Sequence, residues 1–275
     1  MLKKETAFRR GVMGKVLVVT SGKGGVGKTT TSANIGAGLA LKGKKVLLID
    51  TDIGLRNLDV VMGLENRIVY DIVDLIEGRC KIKQALVKDK RNINLNLLPA
   101  AQTRDKTDVT PEQIKQLVET LREDFDYIIM DCPAGIEQGF KNAIVAADEA
   151  IIVTTPEMSA VRDADRIIGL LAAEEINKIT LIVNRIKIEM VKQGNMLSVD
   201  DVLEILRIKL LGVVPDDETI VISTNKGEPL VYKGKSLAAQ SYKNIANRLL
   251  GENVEFLDLD LGKGFLRKLR SIFGS

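Results

Sequence analysis

The sequence of 275 residues has no histidine, no tryptophan and only two cysteines, Cys80 and Cys132. The absence of histidine excludes a Ser-His-Asp triad and most zinc sites. Two cysteines in so long a chain do not make a disulfide framework, so we expect a reducing, cytoplasmic environment. The sequence also lacks an apolar run of about 18 residues, which excludes a spanning helix. Its basic N-terminus has no apolar core of the kind that a secretory signal carries.

Positive charge is concentrated at the two ends of the chain. The formal net charge is +3, but residues 1–15 carry +4 and residues 263–275 carry another +4, which leaves the body between them at −5. The hydrophobic share of 45% is sufficient for a sizeable core. Because a nucleic-acid surface would have to oppose an acidic body, we do not expect nucleic acid as a partner.

Short β-branched segments alternate with helical patterns along the chain. Most of these segments are continuously apolar, as strands covered on both faces are. The alternation predicts an α/β protein with a single, doubly wound, mostly parallel sheet flanked by helices. Strands are predicted at 15–20, 45–50, 93–99, 127–131, 150–155, 179–184 and 210–215. Helices are predicted at 28–42, 111–123, 139–147, 158–174, 198–207 and 236–249.

The sequence predicts one domain at 14–250 with an appendage at each end. Residues 1–13 are expected to be a loose leader, and residues 251–262, which lack helical periodicity and carry four acids, a tether. Wound as a helix, residues 263–275 gather five apolar side chains on one arc, and this pattern favours a helix at a membrane surface. A frayed end or a helix docked on the body is the alternative. The predicted membrane-binding residues are Phe265, Leu266, Arg267, Lys268, Leu269, Arg270, Ile272 and Phe273.

The strongest motif is G-x-x-x-x-G-K-T at Gly22–Thr29, between a predicted strand and a predicted helix. Its glycines let successive backbone N–H groups turn toward phosphate oxygens, and the helix dipole adds to this attraction. We expect Lys28 to reach the β- and γ-phosphates and Thr29 to ligate Mg²⁺. A glycine-rich turn without a ligand is the alternative. The predicted nucleotide-binding residues here are Gly24, Gly25, Val26, Gly27, Lys28, Thr29 and Thr30.

Three carboxylates follow two of the predicted strands. Asp50 and Asp52 leave the strand at 45–50, and Asp131 ends the strand at 127–131, at the edge where open α/β sheets bind ligands. Alternate residues of an extended segment point the same way, so Asp50 and Asp52 can face one site. Since histidine is absent, we expect a carboxylate to orient the attacking water or to hold Mg²⁺. Loop acids or helix caps are the alternative.

Lys23 is a second lysine in the glycine-rich loop. It is either a solvated loop residue or a positive charge that binds a phosphate in another subunit. With it, the stretch K-G-G-V-G-K-T resembles the deviant Walker A family of P-loop ATPases, which includes the ParA-type partition ATPases. The resemblance covers about residues 14–273. It implies ATP and Mg²⁺, a P-loop ATPase domain, and an ATP-dependent homodimer in which Lys23 contacts the nucleotide of the other subunit. It also implies water orientation by Asp52, a magnesium site at Thr29, Asp50 and Asp131, and adenine contacts at Asn184, Pro215 and Asp216.

Within that family, the stretches 52–71, 131–137 and 156–169 and the basic C-terminus are similar to the members that select the bacterial division site. This likeness implies a slow ATPase that binds the inner face of the cell membrane in its ATP state. It also implies a MinC-like division inhibitor, a MinE-like activator and anionic lipid as partners. The implied partner or dimer surface comprises Lys23, Glu157, Met158, Arg162 and Asp163. From periodicity alone, the helix at 158–174 buries Val161, Ala164, Ile168 and Leu171 and exposes its charges to solvent.

Three other functions share parts of this pattern. A flagellar-number ATPase of the same family would share both the tail and the chemistry. A ParA-like ATPase on DNA would need a basic surface, which the acidic body disfavours. An electron-transfer ATPase would need its cysteines at a dimer axis, but Cys132 adjoins Asp131 and is expected to be core filler.

Overall fold

The chain forms one eight-stranded sheet in a computed structural model that describes residues 13–105 and 108–259. The strands are β1 Lys15–Thr20, β2 Val46–Asp50, β3 Val87–Lys88, β4 Leu95–Leu98, β5 Tyr127–Asp131, β6 Glu149–Thr154, β7 Ile179–Ile186 and β8 Lys209–Pro215. Their order in the sheet is β3-β4-β2-β5-β1-β6-β7-β8. All neighbours are parallel except β3 and β4. The predicted fold class is confirmed.

Helices cover both faces of this sheet. They are α1 Lys28–Leu41, α2 Leu58–Met62, α3 Ile72–Ile76, α4 Ile82–Ala85, α5 Pro111–Leu121, α6 Gln138–Ile144, α7 Met158–Ala173, α8 Ile188–Lys192, α9 Val199–Leu206, α10 Glu218–Asn225 and α11 Leu237–Leu249. The seven predicted strands and six predicted helices are all present. The sequence did not predict β3, α2, α3, α4 or α8, because such short segments carry too few periods, nor α10, which has no buried residue and so no apolar stripe. Among the described residues, no helix is long and apolar enough to cross a bilayer.

The central strands are apolar throughout because each of their faces is covered by a separate core. Val16 and Val18 pack in the core beneath α5, α6, α7 and α9, whereas Leu17 and Val19 pack beneath α1, α2 and α11. The helix α7 buries Ile167 rather than the predicted Ile168, which is only half-buried. The predicted strand at 93–99 is shorter than expected, because residues 93 and 94 form a turn before β4.

The parallel register brings the strand ends that carry the motifs to one edge of the sheet. Asp50, the last residue of β2, lies opposite Asp131, the last residue of β5, and Val19 of β1 also pairs with Asp131. We call this the carboxyl edge and the opposite one the amino edge. The glycine-rich loop leaves β1 at the carboxyl edge and enters α1 there.

Residues 252–259 have no regular secondary structure, as predicted, but they are not a free tether. Arg248 donates to two carbonyls of this segment, at 2.9 and 2.8 Å, and to the Leu211 carbonyl of β8 at 3.1 Å. Its guanidinium carbon lies 3.9 Å from the centre of the Phe256 ring, and Leu259 is buried in the core beneath α5 and α9. We call residues 252–259 the C-terminal strap. The predicted leader up to residue 12 and the predicted membrane helix at 263–275 lie outside the described residues.

Candidate nucleotide site

The loop between β1 and α1 has the backbone shape of an anion cradle. Gly25 and Gly27 have φ angles of +75° and +96°, which a residue with a side chain adopts only under strain. A Cβ on Gly25 would meet nothing within 4 Å, whereas one on Gly27 would lie 2.4 Å from Nδ2 of Asn184. Gly27 caps α1, and no side chain caps the first turn of that helix. The N–H groups of this turn can therefore bind a phosphate.

Lys28, in the first turn of α1, is held inside the loop. Its side chain is buried, and Nζ donates to Oγ of Ser21 at 3.0 Å. The Ser21 hydroxyl in turn donates to the Lys23 carbonyl at 2.7 Å. Burying an ammonium group raises the free energy of the folded state unless an anion binds beside it. This arrangement fits the predicted role of Lys28 at the phosphates.

The carboxylates of Asp50 and Asp131 form a buried pair at the carboxyl edge. Asp50 accepts hydrogen bonds from the backbone N–H groups of Asp52, at 2.9 Å, and of Leu58, at 3.1 Å. Asp131 accepts one from the hydroxyl of Ser32 at 2.7 Å.

Burial and electrostatics favour the protonated form of each carboxyl group in this pair. Burial, with the charge of Asp131, raises the pKa of Asp50 to about 7. Burial also raises the pKa of Asp131 to about 6, against the lowering effect of hydrogen bonds from Ser32 and Thr29. The carboxylate of Asp52 disfavours the ionised form of both. The structure therefore brings the three predicted carboxylates together, where a cation would relieve their repulsion.

The donor set fits magnesium that is bound together with a nucleotide. Within 13–105 and 108–259, no group of three or more Asp, Glu or Cys side chains forms a metal site by itself. Magnesium at phosphate-processing sites uses one or two carboxylates and completes its shell with phosphate oxygens and water. Thr29 is hydrogen-bonded to Asp131, so the two predicted ligands lie side by side.

A second corner of the site contains the residues predicted to contact adenine. Asn184 on β7 is buried and donates from Nδ2 to the Val26 carbonyl at 2.8 Å. Its amide oxygen Oδ1 is buried and accepts no hydrogen bond from the residues that the structure describes. Pro215 ends β8 next to β7, and the backbone N–H of Asp216 donates to the carbonyl of Ile186 at 3.0 Å. A buried acceptor without a donor is costly, and the amino group of adenine is a donor that fits it.

The structure also brings together most of the predicted partner surface. Nζ of Lys23 lies 3.4 Å from Oε2 of Glu157 and 3.2 Å from Oγ of Ser159, in the same chain. Met158, Arg162 and Asp163 are exposed on α7. The backbone of Asp163 closes against the loop, since a Cβ on Gly22 would lie 2.3 Å from its carbonyl oxygen. This surface is therefore continuous with the nucleotide loop, and the reach of Lys23 into a second subunit stays a prediction.

Sequence reasoning missed several supporting residues of the site. Ser21 and Ser32 hold Lys28 and Asp131, and the Thr51 hydroxyl donates to the Asp131 carbonyl at 2.7 Å. Ser32 lies one helical turn after Thr29, a spacing that could have indicated it. Cys132 is core filler as predicted, since it is buried and burial raises its pKa to about 12.

These features define a class of protein. A glycine-rich loop that encloses a buried lysine, beside strand-end carboxylates on a parallel sheet, is the site of a P-loop nucleotide hydrolase. Residues 14–188 match the family model AAA_31, described as an AAA domain.

Comparisons with known proteins place the chain within this class. It is 60% identical over 265 residues to the septum site-determining protein MinD of Bacillus subtilis, covering 95% of this chain and 99% of that protein. It is 52% identical to a chain in the MinC:MinD cell division protein complex of Aquifex aeolicus, with a TM-score of 0.82 over 88% of this chain and 98% of that one. It is 28% identical to the Pyrococcus horikoshii MinD complexed with Mg-ADP, with a TM-score of 0.78 over 88% and 100% of the two chains. The chain belongs to the MinD family of septum site-determining ATPases.

Proposed function

We propose that this chain is an ATP-hydrolysing dimerisation switch that binds the inner face of the cell membrane in its ATP state and recruits a MinC-like division inhibitor. The observation that carries the proposal is the convergence of buried Lys28, Asp50 and Asp131 at one edge of the sheet. The relatives support it, since one was solved as a MinC:MinD complex and another with Mg-ADP.

The chemistry assigned to the chain is mainly positioning. Lys28 offers a fixed positive charge to the β- and γ-phosphates, and the uncapped first turn of α1 offers its N–H groups. Mg²⁺, when bound by Thr29 and the two buried carboxylates, neutralises charge on the phosphate oxygens. Asp52, half-buried beside Asp50, orients the attacking water. Because no strong general base is present, turnover is slow alone and is raised by a MinE-like activator.

Lys23 makes the dimer depend on nucleotide. Its ammonium forms an exposed pair with Glu157 of its own chain, and exposed pairs of this kind contribute at most about 1 kcal/mol. Such a weak contact is readily exchanged for the phosphates of ATP in the other subunit. Hydrolysis then removes the charge that holds Lys23 across the interface.

The basic, two-faced segment 263–275 connects the dimer to the membrane. Each basic residue near an anionic surface adds about 1 kcal/mol, so one tail binds weakly and reversibly. Two tails on one dimer act at high effective concentration, which raises avidity by roughly 10²–10⁴. The protein is therefore proposed to be cytoplasmic with ADP and peripheral on the membrane with ATP.

Vesicle sedimentation and ATPase assays test this proposal. With anionic vesicles, ATP and Mg²⁺, the full chain should sediment and its turnover should rise, whereas a chain that ends at Gly262 should do neither. An Asp52→Ala variant should bind ATP and dimerise but lose hydrolysis. Asp124→Ala, at an exposed aspartate just before β5 on the amino edge, is the matched control.

Three outcomes would contradict the proposal. They are equal vesicle binding by the truncated chain, normal hydrolysis by Asp52→Ala, and a monomer in saturating Mg²⁺-ATP. Salt-sensitive retention of non-specific DNA in a gel shift would instead favour a ParA-like function.

A further inference from the structure

The side chain of Arg91, in the turn between β3 and β4, joins two helices that are distant in sequence. Nη1 donates to the Gly227 carbonyl at 2.7 Å, just after α10, and Nη2 donates to the Met62 carbonyl at the end of α2. The guanidinium therefore binds the last carbonyl of α2, which has no partner within the helix, and a carbonyl two residues beyond the end of α10.

Arg91 is itself held in place by two neighbours. Its Nη2 lies 2.8 Å from a carboxylate oxygen of Asp89, whose side chain is fully buried. That carboxylate also accepts a hydrogen bond from the backbone N–H of Asn92 at 3.0 Å. The guanidinium lies 5.2 Å from the centre of the Tyr232 ring. A planar group held on several sides fixes the distance between its partners.

The helix ends that Arg91 joins are already in backbone contact. Gly63 and Gly227 both have positive φ, at +63° and +58°. A Cβ on Gly227 would lie 2.4 Å from Cα of Gly63, so neither position can carry a side chain without separating the two ends. This contact keeps the two ends from approaching further but does not bind them to each other, whereas the hydrogen bonds of Arg91 bind both.

The other end of α2 is held by the nucleotide site. The second carboxylate oxygen of Asp50 accepts hydrogen bonds from the N–H groups of Leu58, at 3.1 Å, and Asn57, at 3.2 Å. This short helix is therefore held between a carboxylate of the proposed magnesium site at one end and Arg91 at the other. A cation or phosphate that moves the Asp50 carboxylate moves α2 with it.

We propose that Arg91 is a positioning residue that couples nucleotide occupancy to the exposed apolar surface of α2 and α10. That surface comprises Val60, Val221 and Ile222, which are 52%, 59% and 50% exposed. The inference rests on the nucleotide-binding part of the proposed function and is independent of the membrane tail. Arg91 contacts no part of the nucleotide loop and acts only through Asp50 and α2.

The absence of tryptophan from the sequence allows a direct test in the full chain. Ile222→Trp places a single fluorophore on α10, and its emission and acrylamide quenching are measured without nucleotide, with Mg²⁺-ADP and with a non-hydrolysable Mg²⁺-ATP analogue. We expect the signal to shift with nucleotide, and Arg91→Met in the same background to abolish that shift. Lys90→Met, the loss of an exposed charge at the neighbouring position, should leave the shift intact. Nucleotide affinity is measured separately for each protein by calorimetry.

The outcomes separate this inference from the proposed function. A reporter that binds nucleotide but shows no shift, or a shift that survives Arg91→Met, overturns the coupling and leaves the proposed ATPase intact. Failure of the wild-type chain to bind nucleotide overturns the proposed function instead. If Arg91→Met does not fold, Arg91→Lys replaces it, because lysine keeps the ion pair with Asp89 but cannot bind both carbonyls with one planar group. A shift that survives Arg91→Lys then overturns the coupling.

Discussion

The two edges of the sheet hold similar acidic residues in opposite electrostatic conditions. At the carboxyl edge, Asp50 and Asp131 are buried beside each other and their pKa values are raised. At the amino edge, Asp148 accepts a hydrogen bond from the Val16 N–H at 2.7 Å and pairs with Arg122 at 2.9 Å. Glu149 is paired with lysines there, and their hydrogen bonds lower its pKa despite burial.

This contrast separates stability from function within one sheet. The amino edge pairs its charges, so its residues stabilise the fold. At the carboxyl edge, buried carboxylates repel one another and two glycines of the loop have left-handed backbone conformations. Both features reduce the stability of the fold, but they suit a ligand that brings phosphate and a cation. Substitutions at the two edges should therefore have different consequences.

The largest expected effect is on activity, at the carboxyl edge. Lys28→Ala removes the buried ammonium that is proposed to bind the phosphates, and we expect ATP turnover to fall by about 10²–10³-fold. The thermal unfolding midpoint of the nucleotide-free protein should change little, because a costly buried charge is lost together with its hydrogen bond. The exposed Lys90→Ala is the control. Wild-type ATP turnover by Lys28→Ala would contradict the assignment of activity to the carboxyl edge.

The next effect is on stability, at the amino edge. Arg122→Met removes the pairing with Asp148 and a 2.8 Å hydrogen bond to the Ala146 carbonyl. We expect the free energy of unfolding in urea to fall by about 2–3 kcal/mol, with ATP turnover per folded molecule unchanged. Arg79→Met removes an exposed arginine that pairs with Asp74, and should cost less than about 1 kcal/mol. Equal losses from the two variants would contradict this assignment.

A smaller effect is expected in the C-terminal strap, which ends in the core. Leu259→Ala removes a buried side chain at the end of the chain's described part and should weaken strap docking by about 2 kcal/mol. Limited proteolysis should then cleave after Phe256 faster than in the wild-type chain. The matched control is Leu237→Ala, at a half-exposed position. An unchanged cleavage rate at Phe256 would show that the strap is held by Arg248 alone.

The smallest effect is the pH dependence of the amino edge. Hydrogen bonds from Lys15 and Lys178 lower the pKa of Glu149 below its ordinary value of 4.5. Its ionised form therefore stabilises the folded state above that value, and the stabilisation disappears as the pH falls through the lowered pKa. Glu149→Gln should be less stable than the wild-type chain by about 1 kcal/mol at neutral pH, and the difference should shrink below about pH 4. A difference that grows in acid would reverse the sign of this contribution.

Local sequence patterns predicted the strands, the glycine-rich loop and the three strand-end carboxylates. Each depends on neighbouring residues: a continuously apolar run fixes a buried strand, and its last residue reaches the carboxyl edge. The supporting contacts depend on register between distant segments. Arg91 and Gly227 are 136 residues apart, and no local pattern indicates their hydrogen bond. The helix α10 has no buried residue, so it lacks the apolar stripe by which helices are recognised.

Because Leu259 at the end of the C-terminal strap is buried, fewer residues are left to connect the domain to the proposed membrane helix. Measured from Leu250, where the body was expected to end, fifteen residues lead to Phe265 and extend to at most about 50 Å. Measured from Leu259, only six residues remain, and their reach is about 20 Å. A shorter connecting segment confines each proposed membrane helix to a smaller volume. In the proposed dimer, the second helix would then meet the bilayer at a higher local concentration. Under the proposed function, Arg248 and Leu259 would therefore influence, from outside the nucleotide site, how steeply membrane occupancy follows nucleotide state.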